Sequence, residues 1–359
     1  MFIKISMLCG TVEPLFSGTE DFATRLTSQL NADGHSVTWP NWNDWRASGA
    51  PGLYRILGND ATDVVSMQYP TDAFRYGLAP HLLALIGRWP LVVTIHEFSA
   101  AHPLRRLSIS ALTARADAVV MTTEYERKMI CQWYPWLARR CHVIPIGATI
   151  PPLPWRPSTP PIISHFGQIR PGKGLEMFLE CAAISQRLGH DWIFQVVGSS
   201  VARHRDYLDT LIQRSGASNI QFTLNIGTGE VAERLAQSTA VLLPFPDGAT
   251  FRRTSLLAAA GCGAPILTTV SSETPEAMAN SVIAVETAAD AAAKLAELLS
   301  DPARLLDAHE KSSLIAGMTS WDTIGKSYAS VFESVLRGRG GRVRQRHMGR
   351  DIGIAEGED

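Results

Sequence analysis

The chain has 359 residues, a length at which two domains of ordinary size are expected. Hydrophobic residues make up 45% and charged residues 19%, which is an ordinary globular balance. The formal net charge of -1 excludes a strongly basic surface overall, so no nucleic-acid partner is expected.

The five cysteines lie at positions 9, 131, 141, 181 and 262, and no two of them form a CxxC pair. An odd number without that spacing favours free thiols in a reducing compartment over a disulfide framework or a zinc site. The N-terminal apolar run is too short for a secretory signal, and no window approaches the ~18 apolar residues of a membrane span. We therefore expect a soluble, cytoplasmic protein without a metal or other cofactor, and contact with the inner face of a membrane is left open.

Strands and helices alternate through the N-terminal half. A helix is predicted after Gly18, because Phe22, Leu26 and Leu30 share one face and Gly34 occupies a C-cap position. Short apolar or β-branched runs are predicted as strands: Ile3–Leu8, Ser36–Trp39, Asp63–Gln68, Leu91–Ile95, Asp117–Thr122 and His142–Ile146. Continuous apolar strands with crossover helices predict a parallel sheet covered on both faces.

The segment 151–161 reads PPLPWRPSTPP and interrupts this pattern. Six of its eleven residues are proline, which fixes φ and lacks an amide donor, so an inter-domain linker is predicted. Strands and helices then resume. The predicted strands are Ile162–Phe166, Trp192–Val197, Ile220–Thr223, Ala240–Phe245, Pro265–Thr269 and Val282–Val285. The predicted helices are Gly174–Leu188, Glu230–Gln237, Ser255–Ala260 and Ala288–Leu299. The sequence thus predicts two successive doubly wound α/β domains, 1–150 and 162–319, whose ligands bind beyond the carboxyl ends of the strands.

Residues 337–359 have the composition of a polar tail. The segment 337–350 holds six arginines and no acid, and 351–359 adds four acids. Dense glycine and low hydrophobicity predict disorder. A solvated tail is favoured over one that binds anionic lipid, which stays an alternative.

One glycine-rich, basic loop, GQIRPGKG at Gly167–Gly174, lies between a predicted strand and a predicted helix. Its glycines let the backbone approach a ligand closely, and Arg170 and Lys173 offer charge-assisted hydrogen bonds to phosphate oxygens. Helix N-termini add a positive dipole end and unpaired amides. An anion site is favoured over a surface turn with two solvated cations.

A second loop, PFPDGATFRRTS at Pro244–Ser255, joins a buried strand to an apolar helix. It places Arg252 and Arg253 at a helix N-terminus, where the dipole repels cations and a bound anion would offset that repulsion. For Thr254 and Ser255, a helix cap is the alternative to a ligand role. The loop 11–18, which ends in Gly18, is a weaker candidate.

His96 and Glu97 follow the predicted strand Leu91–Ile95, at the edge where ligands bind. His96 suits a hydrogen bond to a substrate hydroxyl or a proton transfer, and a satisfied core histidine is the alternative. Polar residues in the next segment are secondary candidates: His102, Arg105 and Arg106.

The sequence resembles glycosyltransferase family 4. Six segments in the same order carry the resemblance: Ser17–Asp21, Ala32–Thr38, Val143–Gly147, Phe166–Gly174, Ala259–Thr269 and Ser320–Phe332. The resemblance covers nearly the whole chain and implies the GT-B fold. That fold has two Rossmann-like doubly wound domains facing across a cleft, and a C-terminal helix, here over 320–336, that crosses back to the N-terminal domain.

The resemblance implies a retaining transfer of a hexose from a nucleotide-sugar donor to a glycan or lipid-linked acceptor, in envelope or exopolysaccharide assembly. The implied catalytic residues are His96, Arg170 and Lys173. Glu97 and His102 are implied on the acceptor side. The implied donor-binding residues are Gly18, Gly167, Gln168, Gly198, Asp247, Arg252, Arg253, Thr254 and Ser255.

Two departures from the family pattern concern the donor site. The family usually has arginine directly after the first glycine, where this chain has Gln168, and Arg170 is expected to replace it. The family's Glu-x7-Glu pair is missing, because Thr250 and Ala258 stand at its positions. A subset of the family resembles Pro244–Ala258 here and lacks the pair too.

We see no carboxylate pair at the ~5 Å spacing of retaining glycosidases, so we expect the leaving diphosphate to accept the acceptor's proton. The loop cations would stabilise the charge that develops on the diphosphate.

A non-catalytic member of the fold is favoured by the missing glutamates but opposed by the retained cations. An epimerase needs an acid/base pair, for which only Glu97 and Asp247 are found. No GxGxxG follows the first strand, which disfavours a nicotinamide oxidoreductase.

Overall fold

The computed structural model of the chain describes residues 1–10, 18–74, 77–99, 101–216 and 220–352, with the backbone alone at residue 72 and over 340–352. The chain divides into two compact units. The first unit comprises Met1–Pro145 and Trp321–Asp359, and the second comprises Ile146–Ser320. Among the described residues, no helix is both long and apolar enough to cross a membrane.

The first unit contains a six-stranded parallel sheet. Its strands are β1 (Lys4–Leu8), β2 (Ser36–Thr38), β3 (Val64–Tyr69), β4 (Leu91–Ile95), β5 (Ala118–Met121) and β6 (Cys141–Val143). They lie in the order β2-β1-β3-β4-β5-β6. The register pairs Met67 of β3 with Val93 of β4, and Val93 with Val119 of β5. All six predicted strands are confirmed, with ends shifted by a few residues.

Helices connect these strands: α1 (Gly18–Ala32), α2 (Ala50–Asn59), α3 (Ala79–Ile86), α4 (Pro103–Arg115) and α5 (Glu124–Trp133). Helix α1 buries Phe22, Leu26 and Leu30, the face that the sequence predicts. Leu53 of α2, Leu83 of α3 and their counterparts on α4 and α5 form one apolar core with the sheet. Each helix therefore follows its apolar periodicity, as expected when one stripe faces a sheet.

The second unit contains another six-stranded parallel sheet, in the order β12-β11-β10-β7-β8-β9. Its strands are β7 (Ile162–Gln168), β8 (Ile193–Ser199), β9 (Ile220–Leu224), β10 (Ala240–Leu243), β11 (Ile266–Thr268) and β12 (Ile283–Ala284). Its helices are α6 (Leu175–Arg187), α7 (Arg205–Ser215), α8 (Thr228–Gln237), α9 (Thr254–Gly261), α10 (Glu276–Ala279), α11 (Ala288–Ser300) and α12 (Pro302–Met318). Two apolar clusters fill the space between helices and sheet. The α/β class and the doubly wound pattern of both halves are confirmed.

The proline-rich segment 151–161 is not a free linker. Trp155 donates from its indole nitrogen to the Ser238 carbonyl at 2.8 Å and stacks on His309. The Arg156 amide donates to the Ala236 carbonyl at 2.8 Å. The segment lacks helix and strand, as its prolines require, but it packs on the second unit. The boundary between the units therefore falls at Pro145, before the predicted linker.

Helix α13 (Trp321–Ile352) belongs to the first unit although it follows the second unit in the sequence. It buries Tyr328 and Phe332 completely, and the Tyr328 hydroxyl lies 2.9 Å from the Thr94 hydroxyl. The prediction of a disordered tail from residue 337 is wrong as far as Ile352, which is helical. Arg339 pairs with Asp117 at 2.6 Å and so ties this part of the helix to the sheet. Residues 353–359 lie outside the described residues.

Candidate functional site

The loop between β7 and α6 carries the first predicted anion site. Gly174 occupies the N-cap position of α6 with φ of +77°, and a Cβ there would lie 2.0 Å from the Pro244 carbonyl oxygen. Glycine is needed for both reasons, since an L side chain would be strained and would clash. The contact brings the loop against the strand end at Pro244, next to the second predicted loop.

Gly167 and Gly198 lie side by side on β7 and β8. A Cβ on Gly198 would lie 1.9 Å from the Gly167 carbonyl oxygen, so these strand ends approach more closely than other residues permit. Ser255 faces Gly167, because a Cβ on Gly167 would meet its side chain at 3.9 Å. Gln168, the residue in place of the family's arginine, is half-buried and ends β7.

The loop between β10 and α9 turns sharply at Gly248. The Ser271 hydroxyl donates to the Asp247 carbonyl at 3.0 Å, and the Ala249 amide donates to the Thr269 carbonyl at 3.0 Å. The N-cap residue of α9 is Arg253, and no side chain caps the helix. A capping role for Thr254 or Ser255 is therefore not observed. The Leu256 amide donates to the Arg253 carbonyl at 2.9 Å, whereas the amides of Thr254 and Ser255 have no such bond among the described residues and can donate to a ligand.

Arg253 is held in a defined position. Its guanidinium lies 4.7 Å from the Phe245 ring centroid and forms an ion pair with the Asp247 carboxylate. Its side chain is 19% exposed, and its Nε is buried without a hydrogen-bond partner among the described residues. Arg252 lies 3.8 Å from the Glu273 carboxylate. Arg253 is thus the more enclosed cation of the pair.

Lys173 lies close enough to Arg170 and Arg253 to be affected by their charges. Burial lowers the pKa of Lys173, the charges of Arg170 and Arg253 lower it further, and Asp247 opposes them. Burial raises the pKa of Asp247, but the hydrogen bond and charge of Arg253 outweigh that effect and leave it below its usual value. The structure therefore brings three predicted cations together at two helix N-termini, which is an arrangement suited to a polyanion.

His165 supports this loop and was not predicted. Its ring is buried, and its Nε2–H donates to the Lys173 carbonyl at 3.0 Å. Burial lowers the pKa of the imidazole to about 4, so it remains neutral near pH 7. A single histidine within an apolar strand was the only sequence signal for this role.

In the first unit, His96 follows β4 and is hydrogen-bonded to a buried amide. Its Nε2 lies 2.9 Å from the Gln68 Oε1, and the Gln68 Nε2 lies 3.3 Å from the Ser66 hydroxyl. A carbonyl oxygen only accepts, so His96 carries its proton on Nε2 and has a lone pair on Nδ1. Burial lowers its pKa to about 4. His96 is therefore a neutral acceptor or base near pH 7.

The other predicted site residues of the first unit are Glu97, His102 and Gly18. Glu97 is exposed, and His102 is the N-cap of α4, where its Nδ1 accepts from the Leu104 amide at 3.3 Å. His102 thus caps α4, and its contact with a substrate stays a prediction. Gly18 begins α1, whereas the rest of its predicted loop, 11–17, lies outside the described residues.

Glu126, on α5, fixes the loop that follows His96 and was also not predicted. Its fully buried carboxylate accepts from the Phe98 amide at 3.0 Å, the Ser99 amide at 2.9 Å and the Ser99 hydroxyl at 2.6 Å. Nothing in the local sequence pairs it with that loop, because 27 positions separate Glu126 from Ser99. It is a positioning residue for the segment that carries Glu97.

Family models match both halves of the chain. The model described as Glycosyltransferase Family 4 matches residues 37–149, and the model described as Glycosyl transferases group 1 matches residues 160–301. The chain belongs to the family 4 glycosyltransferases. No curated protein sequence matches it significantly.

Solved GT-B structures share the fold of this family 4 glycosyltransferase. A glycosyltransferase from Rickettsia africae has a TM-score of 0.72 at 14% identity, over 93% of this chain and 99% of its own. Sucrose-phosphate synthase from Thermosynechococcus elongatus has a TM-score of 0.68 at 15% identity, over 94% and 100%. HepE from Anabaena, solved with UDP-glucose, has a TM-score of 0.65 at 14% identity, over 92% and 100%. These identities establish the fold alone.

The family's two glutamate positions are buried in this glycosyltransferase. Thr250 is 4% exposed, and its hydroxyl accepts from the Arg252 amide at 3.4 Å. Ala258 is 1% exposed within α9. No carboxylate replaces them at these two positions. Among the described residues, no group of three or more potential metal ligands is found.

Proposed function

We propose that the chain is a retaining hexosyltransferase that moves a sugar from a nucleotide-sugar donor to a glycan or lipid-linked acceptor. The cluster of Lys173, Arg170 and Arg253 at the N-termini of α6 and α9 carries this proposal. Burial lowers the pKa of Lys173, and the charges of Arg170 and Arg253 lower it further, so an anion bound among these side chains would relieve their mutual repulsion. A diphosphate has the charge and the several oxygens that this cluster suits.

The chemical role of the cluster is to stabilise the leaving group. The bond from the sugar anomeric carbon to the diphosphate oxygen breaks, and a bond to the acceptor oxygen forms. The acceptor's proton passes to a diphosphate oxygen, so no protein carboxylate is required as nucleophile. Preorganised cations that face the developing charge are typically the largest catalytic contribution. We propose that they perform this task without a metal ion.

His96 is proposed to accept a hydrogen bond from a sugar or acceptor hydroxyl. Its Nε2 proton faces Gln68, which leaves the Nδ1 lone pair for a substrate. Its low pKa keeps that lone pair available near pH 7. Glu97 and His102 are proposed on the acceptor side of the same loop.

The donor is proposed to be a nucleoside diphosphate sugar, with uridine as the first nucleotide to test. HepE was solved with UDP-glucose and shares the fold. We place the reaction in envelope or exopolysaccharide assembly at the cytoplasmic face of a membrane, since lipid-linked acceptors are found there.

A second candidate function is a non-catalytic binding protein. The buried Thr250 and Ala258 favour it, because neither side chain can hold ribose hydroxyls as a carboxylate pair would. This candidate predicts a folded protein that binds a partner but does not turn over a donor.

Thermal unfolding with UDP, GDP, ADP or NAD separates the two. A ligand at ~100 times its dissociation constant stabilises by ~2.7 kcal/mol, which is a measurable shift. We expect a shift with one sugar-type nucleotide and none with NAD. Folded protein that shifts with none of them would favour the binding protein.

Donor turnover is then tested with the matching nucleotide sugars in the presence of EDTA. We expect release of nucleotide and, by NMR of the glycosylated product, the same anomeric configuration as in the donor. An inverted product would contradict the retaining mechanism, and loss of turnover in EDTA would contradict the metal-free one.

A further inference from the structure

Two buried polar residues of β3, Ser66 and Gln68, lie next to His96. They share one face of the strand because they are two positions apart. Both are 0% exposed, so neither the hydroxyl nor the amide reaches solvent. A buried side-chain amide needs partners for its polar atoms, and those partners fix which way the amide points.

The nitrogen of the Gln68 amide faces two acceptors. Its Nε2 lies 3.3 Å from the Ser66 hydroxyl oxygen and 3.6 Å from the sulfur of Met7, on β1. A thioether sulfur accepts hydrogen bonds and donates none, and the same is true of a carbonyl oxygen. Turning the amide over would place two acceptors against each other, so the contact with Met7 keeps the Gln68 oxygen on the His96 side.

The oxygen of the same amide accepts from the His96 ring, with 2.9 Å between Oε1 and Nε2. The His96 backbone amide donates to the Tyr69 carbonyl at 2.9 Å, which ties the residue to β3 a second time. The Phe22 ring of α1 packs on the imidazole in a T-shaped arrangement, with 5.1 Å between the ring centroids. Among the described residues, no hydrogen bond to the His96 Nδ1 is found.

A histidine held in this way recognises one kind of ligand group. The unprotonated Nδ1 accepts a hydrogen bond, which a hydroxyl can donate and an ionised phosphate or carboxylate oxygen cannot. Burial alone lowers the pKa of His96 to about 4. Phe22 and Gln68, which contact the ring, do not titrate, and the neighbouring Glu97 is exposed. The imidazole therefore stays neutral near pH 7.

We propose that Gln68 is a positioning residue that keeps His96 protonated on Nε2, so that Nδ1 faces a ligand hydroxyl. Because Gln68 is fully buried, it acts through His96 and not on the ligand. The origin of that hydroxyl, in a sugar or an acceptor, rests on the proposed function. The protonation of the ring does not, because it follows from contacts within the first unit.

NMR of the full chain labelled with ¹⁵N-histidine tests the proposal without turnover. The signals of His96 are those that the variant His96→Gln removes. At pH 7 we expect a one-bond ¹H–¹⁵N signal from Nε2 and none from Nδ1. A proton on Nδ1 would overturn the proposal.

The variant Gln68→Met keeps an unbranched side chain and removes the acceptor, so the Nε2 proton signal of His96 should shift or disappear. Gln195 is a matched control in the second unit, because it is buried in β8 and donates to the Ser164 hydroxyl at 2.7 Å. Gln195→Met should leave the His96 signals unchanged, and unfolding temperatures show whether both variants are folded. Identical His96 signals in the wild type and in folded Gln68→Met would contradict the role of Gln68.

The variant Gln68→Glu retains an acceptor for the His96 Nε2 and adds a negative charge. An opposite charge beside an imidazole favours the protonated form, so the pKa of His96 should rise by about one unit or more. The ¹⁵N shifts of His96 measured against pH give this value. An unchanged pKa would mean that residue 68 does not control the ring.

Steady-state kinetics with an identified donor connect the ring to the reaction. Gln68→Met should lower kcat about tenfold or more with little change in the KM of the donor, since the ligand meets a misoriented imidazole. Gln68→Glu should lose activity at a higher pH on the acid side, where His96 becomes protonated. Wild-type protein without turnover would refute the proposed function and leave the NMR result standing. An active wild type whose kcat is unaltered in Gln68→Met would refute the positioning role.

Discussion

At the scale of single residues, the donor candidate depends on charges held close together. Lys173 has a lowered pKa because it is partly buried and lies near Arg170 and Arg253. Arg253 is held by the Phe245 ring and by Asp247. Such preorganisation is what makes a cation effective against charge that develops during a reaction.

Replacing Lys173 with alanine should reduce turnover about a hundredfold or more, since one preorganised donor contributes ~3–4 kcal/mol to transition-state stability. Steady-state kinetics with the donor identified by thermal unfolding provide the measurement. Lys311→Ala removes an exposed lysine of the same unit and should change turnover little. Near-normal rates for Lys173→Ala would refute the assigned role.

Two histidines with lowered pKa values, His96 and His165, predict how stability depends on pH. The pKa values of His96 and His165 are lowered to about 4, from an ordinary 6.5. As the pH falls from about 6.5 to about 4, the unfolded chain binds protons at these positions and the folded chain does not, so the free energy of unfolding decreases. Urea unfolding across this range should show a flatter decline for His96→Gln/His165→Gln. An unchanged slope would mean that other groups are responsible.

At the scale of elements, the loops that carry the site are shaped by contacts that lie far apart in sequence. Gly174 touches Pro244, and the Glu126 carboxylate holds the amides that follow His96. Turn residues and basic residues were visible in the sequence, and they predicted a loop between β7 and α6, as observed, whereas its role as an anion site stays a prediction. Their partners were not visible, because β7 and β10 are adjacent only in the folded sheet.

Gly174→Ala should destabilise the second unit by about 3 kcal/mol or more, because the new Cβ would be strained and would meet the Pro244 carbonyl. Gly172 has a similar φ of +78° but open space around its Cβ position. Gly172→Ala should therefore cost only about 1 kcal/mol. Urea denaturation compares the two, and equal losses would show that the contact with Pro244 is unimportant.

Glu126→Ala should lower the free energy of unfolding by about 3 kcal/mol, since it leaves the buried Phe98 amide and the partly buried Ser99 amide and hydroxyl without their acceptor. Glu180→Ala, at an exposed position of α6, should change it by about 0.5 kcal/mol or less. Denaturant unfolding of both variants gives the comparison. A similar small effect for Glu126 would mean that water replaces the carboxylate.

At the scale of the whole molecule, the order of segments along the chain does not match their grouping into the two units. The last helix, α13, belongs to the first unit, and the segment 146–161 belongs to the second. The resemblance to family 4 predicted the return of the helix, whereas the proline composition placed the boundary too late. Proline content reports what a segment cannot form, but it does not report which surface the segment packs on.

Phe332→Ala should destabilise the first unit by about 3–5 kcal/mol, because the side chain is fully buried. Hydrogen exchange should show lost protection in α1 and β4, and retained protection in β7 and β8. Leu306→Asn, at an exposed site, is the control. Equal loss of protection in both units would contradict the assignment of α13 to the first unit.

The sequence by itself determined the two α/β halves, all twelve strands, the family and the basic loops, because these depend on local periodicity and on motifs of contiguous residues. Only the tertiary structure decided which of the predicted cations lie close together, and that His165 and Glu126 support the neighbouring loops. The reason is physical: charge coupling, burial and hydrogen bonding depend on distances through space, and parallel sheets bring together residues that are far apart along the chain.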